Sequence, residues 1–401
     1  MEPDPLHEMD HDGINEPGQL LSKTMNKLST LMLTTVIVAS VHATDRVVSP
    51  SGTYNTISSA IAASSDGDRI LVEPATYTGY LRIDKSITIL PNAEGGRYTV
   101  NGQVRIVPGV SERRITVSGM RNTSSVYIYG TATSRLDVEF ADCFLSSATL
   151  EGPAVHATML RDTIETYLNI YSGSIIGCVF GGVTWSGAIL QVTQGSTLPD
   201  PLSIIGNHFR PTNNGANSPF IIDISIDKEF HVENNFVSNN TNTARFIRFY
   251  GGPAIGTPPS SVANNTFYRS VSVNQITILS QMGIVNVDIV NNAVIGDFGG
   301  PIIDWQYRSG LTSANLYAAS SWINTSTGQP SIGSPLINAG DPDPRYLDLD
   351  LTTNDVGCYG GSNSRANFTT GMGSAVVGFM QAPRVVSQGD AVNISATGFD
   401  R

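Results

Sequence analysis

Lysine is nearly missing from this chain: 401 residues contain only four, and charged residues together make up 14%. The formal net charge is −11. So acidic and Lys-poor a surface argues against nucleic acid as a partner. It also disfavours a strongly polyanionic substrate, because the field of the whole molecule repels it. An acidic ligand would need a local basic cleft. Three cysteines are too few for a disulfide framework. Cys143 and Cys178 each stand just before an apolar residue that closes a repeat, and on adjacent coils they could bridge. Asp162-Thr163-Ile164 falls between them in the same register, which leaves that pairing open. Asn-Gly and Asp-Gly hairpin turns are nearly absent, which weighs against the competing reading, a β-sandwich with hairpins at 8–12-residue intervals. The chain also lacks an apolar run of the ~20 residues that a membrane-spanning helix needs.

What is present is a repeat. Apolar strands open successive units at 167–172 (YLNIYS), 189–194 (ILQVTQ), 221–225 (IIDIS), 246–250 (FIRFY), 276–281 (ITILSQ) and 302–306 (IIDWQ). Each unit closes on a polar residue two before an apolar one: GNHF, VENNFV, VANNTF, IVNNAV. Aligned on that closing residue, Asn207, Asn234, Asn265 and Asn292 share one register, and Phe209, Phe236, Phe267 and Val294 another. A period of 20–50 residues built from short β-branched strands marks a solenoid, whose units bury their apolar sides only by stacking. Asn suits the bend because it tolerates a left-handed backbone and its amide can bond the coil above. The 39 Gly with abundant Ser, Thr and Asn fit a solenoid surface. The expected fold is therefore all-β, a right-handed parallel β-helix of roughly ten coils over residues 44–333.

Residues 28–41 form a short apolar run behind Lys23 and Lys27, ahead of Val41-His42-Ala43. That is the layout of an export signal, predicting a secreted or cell-surface protein whose mature chain starts near Thr44. Residues 1–24 are acidic and unlike the front of such a signal, so Met25 is a candidate start.

Downstream, Ile57, Ala60 and Ile61 make the apolar face of a short helix that Asn55 or Thr56 can cap. Asp66-Gly67-Asp68 then turns into an alternating strand at Ile70 and Val72. With Pro74, Tyr77, Lys85, Ile87 and Ile89, this stretch closely resembles the amino-terminal cap and first coil of secreted right-handed parallel β-helix proteins, found in pectate-lyase-like and related polysaccharide-active families. Ala75 departs from the glycine usual there. The resemblance implies a fold and leaves activity open, because that fold serves lyases, hydrolases, esterases and non-enzymes.

Residues 334–361 resemble the closing, choice-of-anchor-type segment that follows many secreted bacterial β-helices. Ser334, Pro335, Ile337, Ala339, Gly340, Asp348, Asp350, Asp355, Gly357 and Tyr359 carry the match, and Cys358 and Gly360 depart from it. Asp341, Asp343, Asp348, Asp350 and Asp355 could gather a Ca²⁺, which takes six to eight oxygens, or could staple turns. The segment is expected to span 334–365, followed over 366–401 by a linker and the start of a truncated β-sandwich module.

Strand alternation places Asn169, Gln191, Asp223, Arg248 and Asp304 in one outward column, with Tyr171, Thr193, Ser225, Tyr250 and Gln306 in a second. Such a face suits an extended sugar chain: tyrosine rings stack on sugars while amides, carboxylates and Arg bond hydroxyls. Asn169, Tyr171, Gln191, Tyr250 and Gln306 are the candidate substrate contacts, Asp223, Arg248 and Asp304 the candidate catalytic residues. In β-elimination Arg248 would be the base, with Asp223 and Asp304 holding Ca²⁺; in hydrolysis the two Asp would be the acid/base pair. An exposed Asp223–Arg248 ion pair is the structural alternative. His156, His208 and His231 lack metal-ligand spacing; Glu229, Glu233 and Arg210 are further candidates near loops. The expected function is polysaccharide binding, with or without cleavage, against a non-catalytic adhesive or structural solenoid.

Overall fold

The computed structural model describes residues 43–368 except 94, 183–186, 212–219, 240–244, 254–257, 270–277, 282–284, 297–302 and 305–307, together with 376–381, 389, 392 and 394–399. The expected export signal, apart from Ala43, lies outside the described residues.

Parallel strands stack into three ladders. Sheet A runs through twelve successive strands, from Asp45–Val48 to Arg308–Ser309. Sheets B and C share the long strands Met120–Ile128 and Phe144–Leu150, each of which bends from one ladder into the other. Elsewhere a coil is one strand of A, a tight bend, one strand of B and one of C, as in Leu202–Ile205, His208–Pro211 and Phe220–Ser225. The fold is a right-handed parallel β-helix, the hand that parallel crossovers favour.

The interior is a set of side-chain columns. On sheet A, Ile70, Ile89, Val117, Phe140, Met159, Ile175, Ile204, Val232, Val262 and Ile289 pair rung by rung. All are fully buried. At about 1.5–3 kcal/mol for each such side chain, this stacking stabilises coils that could not fold alone.

The bend between A and B needs one left-handed residue per coil. Asp142, Arg161, Asn234, Asn264, Asn291 and Ala314 take it with φ of 50–58°, and Gly177 and Gly206 with 63° and 68°. The next residue builds the ladder: Asn207, Asn235, Asn265, Asn292 and Asn315 bond one another through successive coils. The sequence alignment placed Asn234 in that column, and the structure moves it by one residue. Asn234 is the bend itself, Asn235 is the rung, and Val237 rather than Phe236 pairs with Phe209. Two adjacent Asn made either alignment chemically sensible. Phe236 faces outward instead, beside His208 and under the carboxyl-terminal segment.

All three cysteines are free and buried. Asp162 has a coil of its own between the first two, since Phe144 pairs with Thr163 and Thr163 with Val179. Cys143 and Cys178 are thus two rungs apart, about 9.6 Å, beyond disulfide reach.

The amino-terminal helix is Ile57–Ala63, capped by Thr56 Oγ1 accepting from Ser59 N–H, with Ile57, Ala60 and Ile61 buried. Lys85 donates to the Ile61, Ala62 and Ser64 carbonyls, satisfying the helix's open end. Asp68 accepts from the Thr44 and Ser65 N–H groups and pairs with Arg46.

After the last coil strand, Leu316–Ala318, the chain doubles back along the outside of the coils. Ile323, Leu336, Val356 and Cys358 form a second apolar cluster with Phe236, Ala293, Ile295 and Ala318 on the outer face of sheet B. Backbone groups at 341, 357 and 358 bond Asn291 and Thr266, and Asn234 donates to the Gly360 carbonyl. Phe368 then covers Ala141, Leu160 and Ile176 on sheet A. Residues 319–368 are thus a strap over the bend column. Val376–Gln381 and Ser395–Phe399 pair antiparallel.

Candidate functional site

Sheet C carries the outward column. Its pairing runs Arg82, Arg105, Tyr127, Thr149, Asn169, Gln191, Asp223, Arg248, Leu279, Asp304. The neighbours along each strand, such as Leu168 and Ile170 or Ile222 and Ile224, are buried in the core, which forces the polar residues outward. Asn169, Gln191 and Arg248 are half-buried, as are Tyr171 and Tyr250 two residues further along. Gln306 lies outside the described residues.

Two features differ from the sequence expectation. Leu279 stands between Arg248 and Asp304, so the backbones of Asp223 and Asp304 are three rungs, about 14 Å, apart. Carboxyl pairs that cleave glycosides sit roughly 5–9.5 Å apart. Asp223 is also only 9% exposed rather than facing solvent. Arg248 covers it: Nε donates to Asp223 Oδ1 at 2.9 Å and Nη2 to Oδ2. The guanidinium in turn lies 4.3 Å from the Phe220 ring centre and 4.5 Å from that of Tyr250. Burial works against the Arg248 charge, but the hydrogen bonds and charge of Asp223 outweigh it, holding the group above its ordinary value. A guanidinium so held is a poor proton acceptor and a good hydrogen-bond donor.

Sequence reasoning missed two parts of this face. Glu151 follows Leu150, the partner of Ile170, and so lies in Tyr171's column. Burial pushes its carboxyl up from the usual range, opposed by the Thr193 hydroxyl. The signal was a coil only 20 residues long, unlike the 27–31 used for the alignment. The other part is the aromatic cluster around Arg105: Tyr80, Tyr127 and Tyr129.

The five aspartates near the carboxyl end do not converge. Asp343 caps the turn at Arg345, Asp350 accepts from Thr352 N–H and Oγ1, and Asp355 accepts from Asn338 N–H. Asp341 accepts from Asp343 N–H, and Asp348 from Asp355 and Gly361 N–H. Asp341, Asp343 and Asp350 staple turns, while Asp348 and Asp355 tie segments 13 and 17 residues apart. Among the described residues no group of three or more His, Cys, Asp or Glu is arranged to hold a metal, so this donor set does not fit Ca²⁺.

The histidines are structural. His208 lies against Phe236, and burial pushes it down to about 3, with Arg365 and Arg210 adding to the effect. His156 is lowered, chiefly by burial. His231 bridges Glu229 and Ser261 on the outer face of sheet A, and Ser261 donates to Glu233. Arg210 is exposed at the end of its strand.

A parallel β-helix with a long polar and aromatic outer sheet is the class these features define. No protein-family description and no curated protein matches the chain. Among solved structures it is similar to the crystal structure of pectate lyase Pel9A, at 14% identity with a TM-score of 0.42, over 80% of this chain and 97% of that one. Among the described residues no helix is long and apolar enough to cross a membrane.

Proposed function

We propose that this is an exported glycan-binding β-helix that holds an extended polysaccharide along the outer face of sheet C. The observation that carries the reading is the eight-rung outward column from Arg82 to Arg248. At about 4.8 Å per rung it extends roughly 34 Å, room for several sugar residues end to end. Tyr171 and Tyr250 supply stacking faces, while Asn169, Gln191 and Arg248 supply donors and acceptors. Binding is favoured over cleavage because Arg248 and Asp223 are clasped to each other. Asp223 positions Arg248 in this reading. Export rests on the segment before Thr44.

The test is affinity electrophoresis of the full chain through gels holding one polysaccharide at a time, uronic acid polymers and neutral glycans. Parent mobility should fall in at least one gel, and Tyr171→Ala and Gln191→Ala should each recover part of it. A loss of one stacking contact weakens binding about tenfold. Unchanged mobility of the parent in every gel would leave only the structural solenoid.

A further inference from the structure

Arg105 differs from the two other arginines of the sheet C column: Arg82 pairs with Asp84 and Arg248 with Asp223. Among the described residues, Arg105 meets no carboxylate. Its Nη2 donates to Gln103 Oε1 at 3.3 Å, and its Nε is buried without a partner. The guanidinium carbon lies 4.6, 5.1 and 5.4 Å from the ring centres of Tyr80, Tyr129 and Tyr127. Tyr80 and Tyr129 are 43% and 52% exposed, unusual for large rings and open to a ligand.

The parts fit one kind of ligand. Tyrosine faces attract a guanidinium and hold it in place. An oxyanion that reaches the Nη edge of that guanidinium accepts a charge-assisted bond. The exposed rings would stack on whatever flat, weakly polar ring carries the anion. With a net charge of −11 the molecule repels acidic ligands at long range, so only a local uncompensated cation could take one. Arg105 is that cation on sheet C.

We propose that Tyr80, Arg105, Tyr127 and Tyr129 form a subsite for the anionic group of an acidic sugar, a carboxylate or sulfate on a sugar ring. It sits six rungs, about 29 Å, from Arg248, toward the capped end of the same face. It rests on the reading of sheet C as a glycan face and adds the class of sugar bound at one end.

The experiment compares full-length parent, Arg105→Gln and Tyr129→Ala in gels of polygalacturonate, dextran sulfate and neutral dextran, with thermal melts alongside. The parent should be retarded by at least one anionic polymer more than by dextran; which one assigns carboxylate or sulfate. Arg105→Gln should weaken that retardation about tenfold while keeping its melt, and raised salt should do the same to the parent. If Arg105→Gln melts early, Tyr129→Ala carries the test, because its ring is half-exposed. Equal retardation of parent and both variants, or anionic polymers held no better than dextran, overturns the subsite and leaves the extended face standing. Titration with methyl glucuronide and glucose 6-sulfate separates the reverse case. Arg105-dependent monosaccharide binding with no polymer retained would keep the subsite and remove the extended face.

Discussion

Asp162 occupies the ladder position that Asn takes in later coils. Its carboxylate is fully buried and accepts from Cys143 N–H at 2.7 Å and Leu160 N–H at 3.1 Å. Burial nonetheless pushes it well above the usual carboxylate range. A carboxyl raised on folding gives its full stability below the unfolded value, and that contribution is lost as pH rises through the window up to the folded value. Asp162→Asn removes this loss, and its amide can donate to a neighbouring coil's carbonyl as Asn207 does to Ile175, at the cost of the Leu160 acceptor. Melts at pH 4 and pH 8 should therefore show the variant gaining on the parent at the higher pH, by about 1–3 kcal/mol. A parent–variant difference independent of pH would mean that Asp162 stays ionised. The sequence placed Asp162 between Cys143 and Cys178 in this register, but nothing local to it announces that its carboxyl is fully buried.

Within each coil, two adjacent residues at the bend do different work. Asn265 Oδ1 accepts from both the N–H and the amide of Asn235, and its own amide donates to Val232, Ala263 and Asn292. Asn264, with φ of 53°, supplies the left-handed turn and only a 3.5 Å bond to Gly360. Asn265→Ala should cost about 2–4 kcal/mol in urea unfolding, because it strands buried polar groups in two coils. Asn264→Gly should stay within about 1 kcal/mol, since glycine takes positive φ freely. Similar losses for the two would mean that the ladder adds nothing beyond the turn. Repetition made the coil legible in the sequence; the phase of the Asn-Asn pair was not, because each Asn satisfies the local chemistry of either position.

Across the whole molecule, the strap decides which faces are open. It seals the outer side of sheet B with Leu336, Val356 and Cys358 and reaches Leu160 and Ile176 through Phe368. Sheet C carries no part of either cluster, which is why it holds the candidate site. A chain ending at residue 333 should bind hydrophobic dye, aggregate and unfold at lower urea, because Phe236, Ala293 and Ile295 lose their cover. Sedimentation and dye fluorescence check this, and a monomeric, dye-negative truncation with the parent's midpoint would show the strap to be dispensable.

Alternation and period alone determined that this chain would stack into a parallel β-helix and that Asn169, Gln191, Asp223 and Arg248 would share one outward column. Both follow from local rules: a side chain flips every residue along a strand, and an apolar strand recurs once per coil. Only the tertiary structure decided what those side chains do. The Asp223–Arg248 clasp and the Leu279 rung depend on which strands become neighbours. So does the gathering of three tyrosines around Arg105, with Tyr80 from the coil before it and Tyr127 and Tyr129 from the coil after it. Coil lengths that vary from 16 to 32 residues set those neighbours, and a fixed period cannot anticipate them. The carboxyl-terminal aspartates were visible as a cluster in sequence, yet Asp341, Asp343 and Asp350 each accept from a backbone N–H two residues on, and Asp348 and Asp355 from the backbone of residues 361 and 338.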